Sequence, residues 1–261
     1  MLSLLNYVWR LFAKTLSFAL FGIGALVLAF LVFPAIRLCI PSKRKFRKAL
    51  RSTVSGSFAL FVLVMKLLGL IKVRVREPEK LRNARGVIVA ANHPSLIDVV
   101  ILIAHLPQAD CIIKSKLRNN PFVRGVVRGI YISNSLDFQD TVKACADSLA
   151  EGNSLVIFPE GTRTGSGAQP SLKRGSAQLA LRIGCEILPV TIKASNPRGL
   201  RRGDPFFSLS REGPVVFEIE PQERISVERY RDQEPSRGAR ILTRELEARI
   251  VPHQQTAPSG V

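Results

Sequence analysis

Two apolar stretches near the start of the chain predict helices in contact with a membrane. Residues 15–36 contain no charged side chain over 22 positions, and a spanning helix needs about 20 apolar residues. Residues 57–71 form a second stretch of about 15 residues, interrupted by Lys66 and Gly69. This length is short for a span and favours a helix lying in the membrane interface. Burial in the core of the following domain is the alternative for this second stretch.

Beyond residue 72, short runs rich in β-branched residues alternate with helical stretches. The strand candidates are Lys72–Arg76, Val87–Ala91, Cys111–Lys114, Ile130–Ser133, Leu155–Phe158, Ile187–Ile192 and Val215–Glu220. The helix candidates are Ser95–Ala104, Pro121–Val127, Phe138–Glu151, Arg174–Gly184 and Arg237–Ile250. Such alternation is typical of α/β proteins, so we expect a mostly parallel sheet flanked by helices, preceded by N-terminal membrane helices.

The chain is therefore predicted to have three parts. Residues 1–72 are expected to form membrane-anchoring helices with a basic cluster, residues 73–250 an α/β domain, and residues 251–261 a disordered tail. Within the domain, residues 195–213 are rich in Gly, Pro and Arg and predict a long loop.

Charge is distributed unevenly between these parts. The chain has 38 Lys and Arg against 20 Asp and Glu, a net charge of +18, and residues 1–76 hold 13 of the basic residues and none of the acidic ones. The basic cluster that follows the first apolar stretch consists of Lys43, Arg44, Lys45, Arg47, Lys48 and Arg51. It is typical of the cytoplasmic flank of a membrane helix and of contact with anionic lipid headgroups. Since Phe46 is its one interleaved aromatic residue, we expect membrane lipid as the partner and no nucleic acid.

His93 and Asp98 are the first residues that indicate chemistry. They lie in the stretch 92–98, Asn-His-Pro-Ser-Leu-Ile-Asp, at the carboxyl end of a predicted strand, where open α/β sheets bind ligands. Five residues are a little over one helical turn, so the Asp98 carboxylate can reach the imidazole. A carboxylate on one ring nitrogen fixes the tautomer and stabilises the cation formed when the other nitrogen takes a proton. The pair is a candidate general base; a structural His beside a capping Asn is the alternative.

A second stretch with polar side chains, Phe-Pro-Glu-Gly-Thr-Arg-Thr at residues 158–164, also follows a predicted strand. Gly161 allows the backbone to approach a ligand closely, and the guanidinium of Arg163 matches a phosphate group. Thr162 and Thr164 add hydroxyl donors. Taken alone, this stretch is equally compatible with an anion-binding turn and with a solvated loop.

Together, the two stretches resemble the glycerolipid acyltransferases, the 1-acylglycerol-3-phosphate acyltransferase family, whose motifs read NHxxxxD and FPEGTRS. Residues 172–177, Leu-Lys-Arg-Gly-Ser-Ala, are similar to the FKKGA stretch of that family, and residues 187–190, Ile-Leu-Pro-Val, to its proline-centred block. The resemblance covers about residues 73–216 and implies that residues 73–250 are an acyltransferase domain with the glycerolipid acyltransferase fold.

The resemblance also implies roles for individual residues. His93 would deprotonate the acceptor hydroxyl, which attacks the thioester of acyl-CoA or acyl carrier protein directly, and Asp98 would orient and stabilise His93. Pro189 would shape the acyl pocket, and Arg163 would hold the acceptor phosphate. Substrate binding falls to Asn92, Glu160, Gly161, Thr162, Arg163, Lys173 and Pro189. No metal and no further cofactor is implied, and the acceptor would be a lysophospholipid or another hydroxylated lipid.

One position departs from the family pattern. The family's second block, GxxFIxR, falls around residues 129–134, with Tyr-Ile-Ser-Asn at 131–134 in the place of its last four positions, so that Asn134 stands where the family has an Arg that helps to hold the acceptor phosphate. Because Asn carries no positive charge, the acceptor could instead be a non-glycerophosphate lipid, such as an ornithine-type lipid or a polyene product. A non-catalytic, membrane-anchored basic binding protein is the alternative from a different functional class.

Overall fold

A seven-stranded sheet forms the centre of the described molecule. The computed structural model describes residues 2–113, 131–133, 137–165, 170–210 and 213–251. The strands are β1 (Ile71–Val75), β2 (Ile88–Ala91), β3 (Ala109–Ile113), β4 (Tyr131–Ser133), β5 (Ser154–Ile157), β6 (Ile187–Ala194) and β7 (Val215–Pro221). Their order is β1-β7-β6-β2-β5-β3-β4, and all neighbours pair in parallel except β6 and β7.

Helices cover the sheet and extend from it. They are α1 (Leu2–Val27), α2 (Phe33–Cys39), α3 (Lys43–Leu67), α4 (Pro78–Arg82), α5 (Asp98–Ala104), α6 (Phe138–Ala150), α7 (Gly175–Ile183) and α8 (Pro235–Ile250). A π-helical turn, Leu28–Val32, joins α1 to α2. The predicted mostly parallel α/β architecture is confirmed, and every predicted strand lies within two residues of an observed one. The predicted helix Pro121–Val127 lies outside the described residues.

The core is divided by the sheet into two apolar clusters. Successive side chains of a strand point to opposite faces, and β2 and β6 accordingly contribute to both clusters. Val89 and Ala91 join the cluster beneath α3 and α5, whereas Ile88 and Ala90 join the cluster beneath α7 and α8. The four residues of β2 are all buried, as expected for a central parallel strand covered on both faces.

The second apolar stretch is not a separate interfacial helix. It is the C-terminal part of the 25-residue helix α3, which begins in the basic cluster and ends at Leu67. One face of α3 packs on the sheet domain, and the Ser55 hydroxyl donates to the carbonyl of Ile103 in α5 at 2.8 Å. Leu60 and Leu67 on the other face are exposed. Burial in the core, the alternative given for this stretch, therefore holds for one face of the helix.

Arg51 corrects the interpretation of the basic cluster as a uniform lipid-binding surface. Its guanidinium is buried and forms two hydrogen bonds of 2.8 Å with the Asp110 carboxylate of β3. The Ser148 hydroxyl of α6 donates to the same carboxylate. The other five basic side chains of the cluster are exposed. Arg51 thus joins α3 to the sheet, while the remaining cluster is free to contact headgroups.

Within the described part of the chain, two helical segments are long and apolar enough to cross a membrane, Leu4–Cys39 and Lys43–Leu67. Most of the first is exposed, whereas almost half of the second is buried against the rest of the chain. The described part of residues 195–213 is a loop, as predicted. In the predicted tail 251–261, only Val251 belongs to the described residues, and the division of the chain at residue 72 stays a prediction.

Candidate active site

The two motif-bearing loops meet because their strands are neighbours in the sheet. β2 and β5 pair in parallel, with Ala90 opposite Ile157, so their carboxyl ends lie side by side. The loop after β2 begins with Asn92 and His93, and the loop after β5 begins with Phe158. Residues separated by more than 60 positions in the sequence therefore share one site at the carboxyl edge of the sheet.

His93 and Asp98 form the predicted pair. The imidazole Nδ1 lies 2.8 Å from Asp98 Oδ2, and the Asp98 side chain is fully buried at the first residue of α5. Asp98 also accepts hydrogen bonds from the Ser95 backbone N–H at 2.6 Å and from the Ser95 hydroxyl. Because a carboxylate only accepts hydrogen bonds, Nδ1 of His93 is the donor in this pair, and Nε2 is left as an acceptor. With 17% of the His93 side chain exposed, a substrate can reach the ring.

Burial raises the pKa of the Asp98 carboxyl, while the hydrogen bonds from His93 and Ser95 oppose that rise. Desolvation disfavours the charged form, and donors directed at the carboxylate favour it. The donors from His93 and Ser95 thus favour the carboxylate form of Asp98, which is the acceptor for the imidazole. An imidazolium formed at His93 would neutralise that carboxylate directly.

Phe158 fixes the plane of the His93 ring. The two rings stack with their centroids 4.1 Å apart and an interplanar angle of 22°. Neither Phe158 nor Ser95 was predicted to have a role, although both lie in the two stretches that carry the motifs. Their functions depend on contacts with His93 and Asp98 that the folded chain creates. Together they hold the imidazole in one orientation before substrate arrives.

Glu160 joins the two loops. Its Oε1 accepts the backbone N–H of His93 at 2.8 Å, and its Oε2 accepts the Thr164 hydroxyl. The Thr164 backbone N–H donates in turn to the His93 carbonyl at 3.0 Å. Because both carboxylate oxygens have donors within the protein and the side chain is buried, Glu160 is a positioning residue. Its predicted role in holding the acceptor stays a prediction.

Gly161 and the cations beside it form the open part of the site. Gly161 has φ +70°, and a Cβ there would lie 3.3 Å from Lys173 Nζ. The Lys173 backbone N–H donates to the Pro159 carbonyl at 2.9 Å, which holds residue 173 beside this turn. Arg163 is half-buried and, among the described residues, has no hydrogen bond or ion pair; Thr162 is exposed. Substrate binding by these four residues stays a prediction.

Asn92 and Pro189 are both held within the sheet, and their predicted roles in substrate binding stay predictions. The Asn92 side chain donates to the Ile192 carbonyl at 2.8 Å and accepts the Ile192 N–H at 2.6 Å, so its amide is used to join β2 to β6. Pro189 lies buried within β6, opposite Ala90. By strand alternation it faces the side of α8, as does Thr191, whose hydroxyl donates to the Arg249 carbonyl. That face is opposite to the cluster that contains Ala91 and packs against Phe158.

Most residues expected to contact the acceptor phosphate around Asn134 lie outside the described part of the chain. Asn134 and the four cations that could replace an Arg there, Lys114, Lys116, Arg124 and Arg128, lie outside the described residues. Within the described residues, no group of three or more His, Cys, Asp or Glu side chains could hold a metal ion. The expectation that the reaction needs no metal or further cofactor stays a prediction.

Comparisons with known proteins agree with this geometry. Residues 72–193 match the family model described as Acyltransferase. A 1-acyl-sn-glycerol-3-phosphate acyltransferase from Borreliella burgdorferi is 34% identical over 132 residues, which are 48% of this chain and 53% of that protein. A human 1-acyl-sn-glycerol-3-phosphate acyltransferase beta is 29% identical over 139 residues, 50% of this chain and 49% of that protein. The chain thus spans about half the length of the curated relatives it matches.

The fold is shared over nearly the whole chain. The crystal structure of the 1-acyl-sn-glycerophosphate acyltransferase from Thermotoga maritima superposes with a TM-score of 0.62, covering 94% of this chain and 95% of that one at 22% identity. At this identity the likeness shows the fold alone. Residues 72–193, which match the Acyltransferase family model, contain both motifs, and these meet at the carboxyl ends of β2 and β5; this part of the chain is therefore similar to the acyltransferase family.

Proposed function

We propose that the chain is a membrane-bound O-acyltransferase that transfers a fatty acyl group to the free hydroxyl of 1-acylglycerol-3-phosphate. The observation that carries the proposal is the His93–Asp98 pair, 2.8 Å between Nδ1 and Oδ2, held by Glu160 beside the loop that bears Arg163. The acceptor is taken from the names of the relatives, which describe 1-acyl-sn-glycerol-3-phosphate acyltransferases.

In the proposed mechanism, His93 Nε2 accepts the proton of the acceptor hydroxyl as its oxygen attacks the thioester carbonyl carbon. The carbonyl π electrons move to oxygen, and a tetrahedral intermediate forms. When that intermediate collapses, the carbon–sulfur bond breaks and the thiolate of coenzyme A or of the carrier protein leaves with the proton from His93. Asp98 stabilises the imidazolium between these two steps. An acylated acceptor and a free thiol result, and no acyl-enzyme is formed.

Arg163 and Lys173 are the proposed contacts of the acceptor phosphate. Arg163 has no competing partner among the described residues, and a guanidinium can bind two phosphate oxygens at once. Lys173 adds a second positive charge beside Gly161, where the absence of a side chain leaves the backbone accessible. The surplus of basic residues in the chain also suits an acidic acyl carrier protein as the donor, alongside acyl-CoA.

The proposed location is a membrane, with the α/β domain facing the cytoplasm. The two candidate membrane helices support the association. The exposed basic side chains at the start of α3 support the orientation, because Lys and Arg accumulate on the cytoplasmic side of membrane proteins. Lipid acceptor and catalytic pair would then meet at the membrane surface.

Asn134 favours a second candidate acceptor. Loss of the charge that the family has at this position would weaken binding of a phosphate group. The same acyl transfer to a hydroxylated lipid without a glycerophosphate group is therefore the second proposal. It uses the same roles for His93 and Asp98 and differs in the group that Arg163 contacts.

The test is transfer of a labelled acyl group by the purified full-length chain in lipid vesicles. Donors are acyl-CoA and acyl carrier protein; acceptors are lysophosphatidic acid and a panel of hydroxylated lipids without phosphate. The variants are His93→Ala and, as a matched control, His105→Ala, because His105 is half-buried at the end of α5 and its ring bonds to the Ile101 carbonyl of the same helix.

We expect wild type and His105→Ala to acylate lysophosphatidic acid, and His93→Ala to be slower by roughly 10²–10⁴-fold. Transfer to the panel without transfer to lysophosphatidic acid would replace the first acceptor with the second. If folded wild type acylates neither, the acyltransferase proposal fails and the non-catalytic binding protein takes its place. If His93→Ala retains full activity, acyl transfer stands but the role of His93 as general base fails.

A further inference from the structure

The loop 195–213 carries an exposed aromatic tip. Phe206 and Phe207 are 41% and 63% exposed, and their rings meet edge to face with centroids 5.2 Å apart. Arg198 and Arg202 of the same loop are exposed as well. Two adjacent exposed aromatic rings in a loop that also carries exposed guanidinium groups are poorly suited to water but suit a lipid surface, where rings enter the acyl region and cations meet phosphate.

The aromatic tip contacts α1. The Phe18 ring of α1 meets the Phe206 ring edge to face, with centroids 5.3 Å apart. On the side of α1 that faces away from the domain, one stripe of large apolar side chains is exposed: Leu5, Val8, Trp9, Phe12, Leu16, Leu20, Ile23 and Val27. Apart from the neighbours Val8 and Trp9, these residues are three or four positions apart, which places them on one helix face. Phe18 is half-buried and lies outside this stripe, and its contact with Phe206 joins the loop to the helix that carries it.

Backbone carbonyls of the loop surround the charges of α1. Lys14 Nζ lies 3.0 Å from the Gly199 carbonyl, 2.5 Å from that of Phe206 and 3.1 Å from that of Ser208. Arg10 donates to the Ser210 and Gly213 carbonyls. Both cations are buried. Because the loop covers them, the first turns of α1 present only uncharged side chains outward, so helix and loop can enter the same apolar layer.

The loop also contacts both catalytic loops. The Leu96 N–H, three residues beyond His93, donates to the Leu200 carbonyl at 2.9 Å. Gly165, next to Thr164, forms a backbone bridge with Arg202. Binding of the loop to a membrane surface would therefore also hold the catalytic pair near that surface.

We propose that the loop 195–213 is a second membrane-docking element, which inserts Phe206 and Phe207 into an anionic phospholipid bilayer and holds the His93 site at its surface. Arg198 and Arg202 would bind the lipid phosphates at the edge of the inserted rings. The inference rests on the membrane association proposed above. It adds a membrane contact made by the α/β domain itself. Through this contact the lipid acceptor would reach His93 along the bilayer surface.

The fluorescence of single-tryptophan variants tests the insertion independently of activity. Trp9 is the only tryptophan of the chain, so a reporter is made by Phe207→Trp in a Trp9→Phe background. The matched control is Phe138→Trp in the same background, because Phe138 is 40% exposed at the start of α6. Each protein is reconstituted in phosphatidylglycerol-containing vesicles whose acyl chains are brominated to quench nearby indoles.

We expect quenching of at least twofold for native Trp9 and for the Phe207→Trp reporter, and little for the Phe138→Trp control. Quenching of Trp9 without quenching of the Phe207→Trp reporter would overturn the docking of the loop and leave membrane association intact. Equal quenching of both reporters would also overturn it. If Trp9 itself is not quenched, the chain is not in the bilayer and both proposals fail.

A second experiment tests the delivery of substrate. We expect Phe207→Ser to lower turnover of long-chain lysophosphatidic acid in vesicles roughly tenfold, and to leave turnover of a short-chain, monomeric acceptor in solution unchanged. Phe138→Ser is the control and should change neither. Equal loss on both acceptors, or loss on neither, would contradict a role of the loop at the bilayer.

Discussion

Glu160 Oε1 accepts the backbone N–H of His93 at a distance of 2.8 Å, although the two residues are 67 positions apart in the sequence. The bond crosses between the loops that follow two adjacent parallel strands, β2 and β5. Since Thr164 also bonds to both partners, the two loops behave as one unit around the imidazole.

The bridge predicts a difference between two substitutions of Glu160. Glu160→Ala removes the acceptor for the His93 N–H, and we expect kcat/KM to fall roughly 100-fold, because small displacements of a reacting group have effects of that size. Glu160→Gln keeps an acceptor and should stay within about tenfold of wild type. Steady-state kinetics on both variants checks this. Equal losses for Ala and Gln would mean that the negative charge, and not the bridge, is what matters.

His93 and Asp98 should act as one catalytic unit. If Asp98 works through the imidazole, the double variant His93→Ala/Asp98→Ala should be scarcely slower than His93→Ala alone. The measurement is kcat for both single variants and the double variant with the same donor. Losses that multiply would show that Asp98 contributes by a route that does not involve His93.

Asp98→Asn should stabilise the fold while it removes activity. Burial raises the pKa of Asp98, so the folded chain keeps this proton at pH values at which the unfolded chain has released it. The stability associated with the group is present below its ordinary pKa of 3.8 and is lost as the pH rises through the raised value. Above that range of pH the ionisable Asp98 therefore costs stability that Asn, which does not titrate, does not cost.

Thermal unfolding in detergent tests the direction in which this stability difference changes with pH. The melting temperature of Asp98→Asn should exceed that of wild type by more near pH ~7.5 than near pH ~4. Asp147→Asn, which changes an exposed carboxylate on α6, is the control. A gain that is the same at both pH values would contradict the assignment to Asp98 ionisation.

Arg51 should matter far more than its neighbours in the basic cluster. Arg51→Met leaves the Asp110 carboxylate buried without its bidentate partner, and removal of one member of such a pair costs about 3–5 kcal/mol. The exposed Arg47→Met should cost less than about 0.5 kcal/mol. We expect Arg51→Met/Asp110→Asn to regain part of the loss, measured by chemical unfolding in detergent. Similar free energies of unfolding for Arg51→Met and Arg47→Met would show that Arg51 does not anchor α3 to the sheet.

Gly199 should be essential to the shape of the loop 195–213. It has φ +81°, and a Cβ there would lie 1.9 Å from the Ser208 carbonyl oxygen and 2.6 Å from Lys14 Nζ. Gly199→Ala should therefore loosen the loop and speed tryptic cleavage within it. Gly203→Ala is the matched control, since Gly203 has φ +88° and no atom within 4 Å of the added Cβ. Similar cleavage of both variants would attribute the effect to backbone strain alone.

Local sequence patterns predicted the strands and the His93–Asp98 contact well, because alternation and a five-residue separation are local signals. The bond of Glu160 to the His93 backbone N–H had no such local signal, because only the pairing of β2 with β5 brings the two residues together. Arg51 did carry a signal: it shares a helical face with Leu50, Val54 and Phe58, all of which are buried. The uniform charge of the surrounding cluster concealed that periodicity. The role of Asn92 likewise depends on β6, a hundred residues away.

The capping of Lys14 and Arg10 has a consequence for the biosynthesis of the chain. Their carbonyl partners follow 185 to 203 positions later in the sequence, and synthesis proceeds from the N-terminus. For most of translation these two cations must stay in water or among headgroups, because their partners do not yet exist. The first turns of α1 can reach their final place only after residue 213 has been made. Assembly of the membrane face is thus a late step, completed from the C-terminal half of the domain.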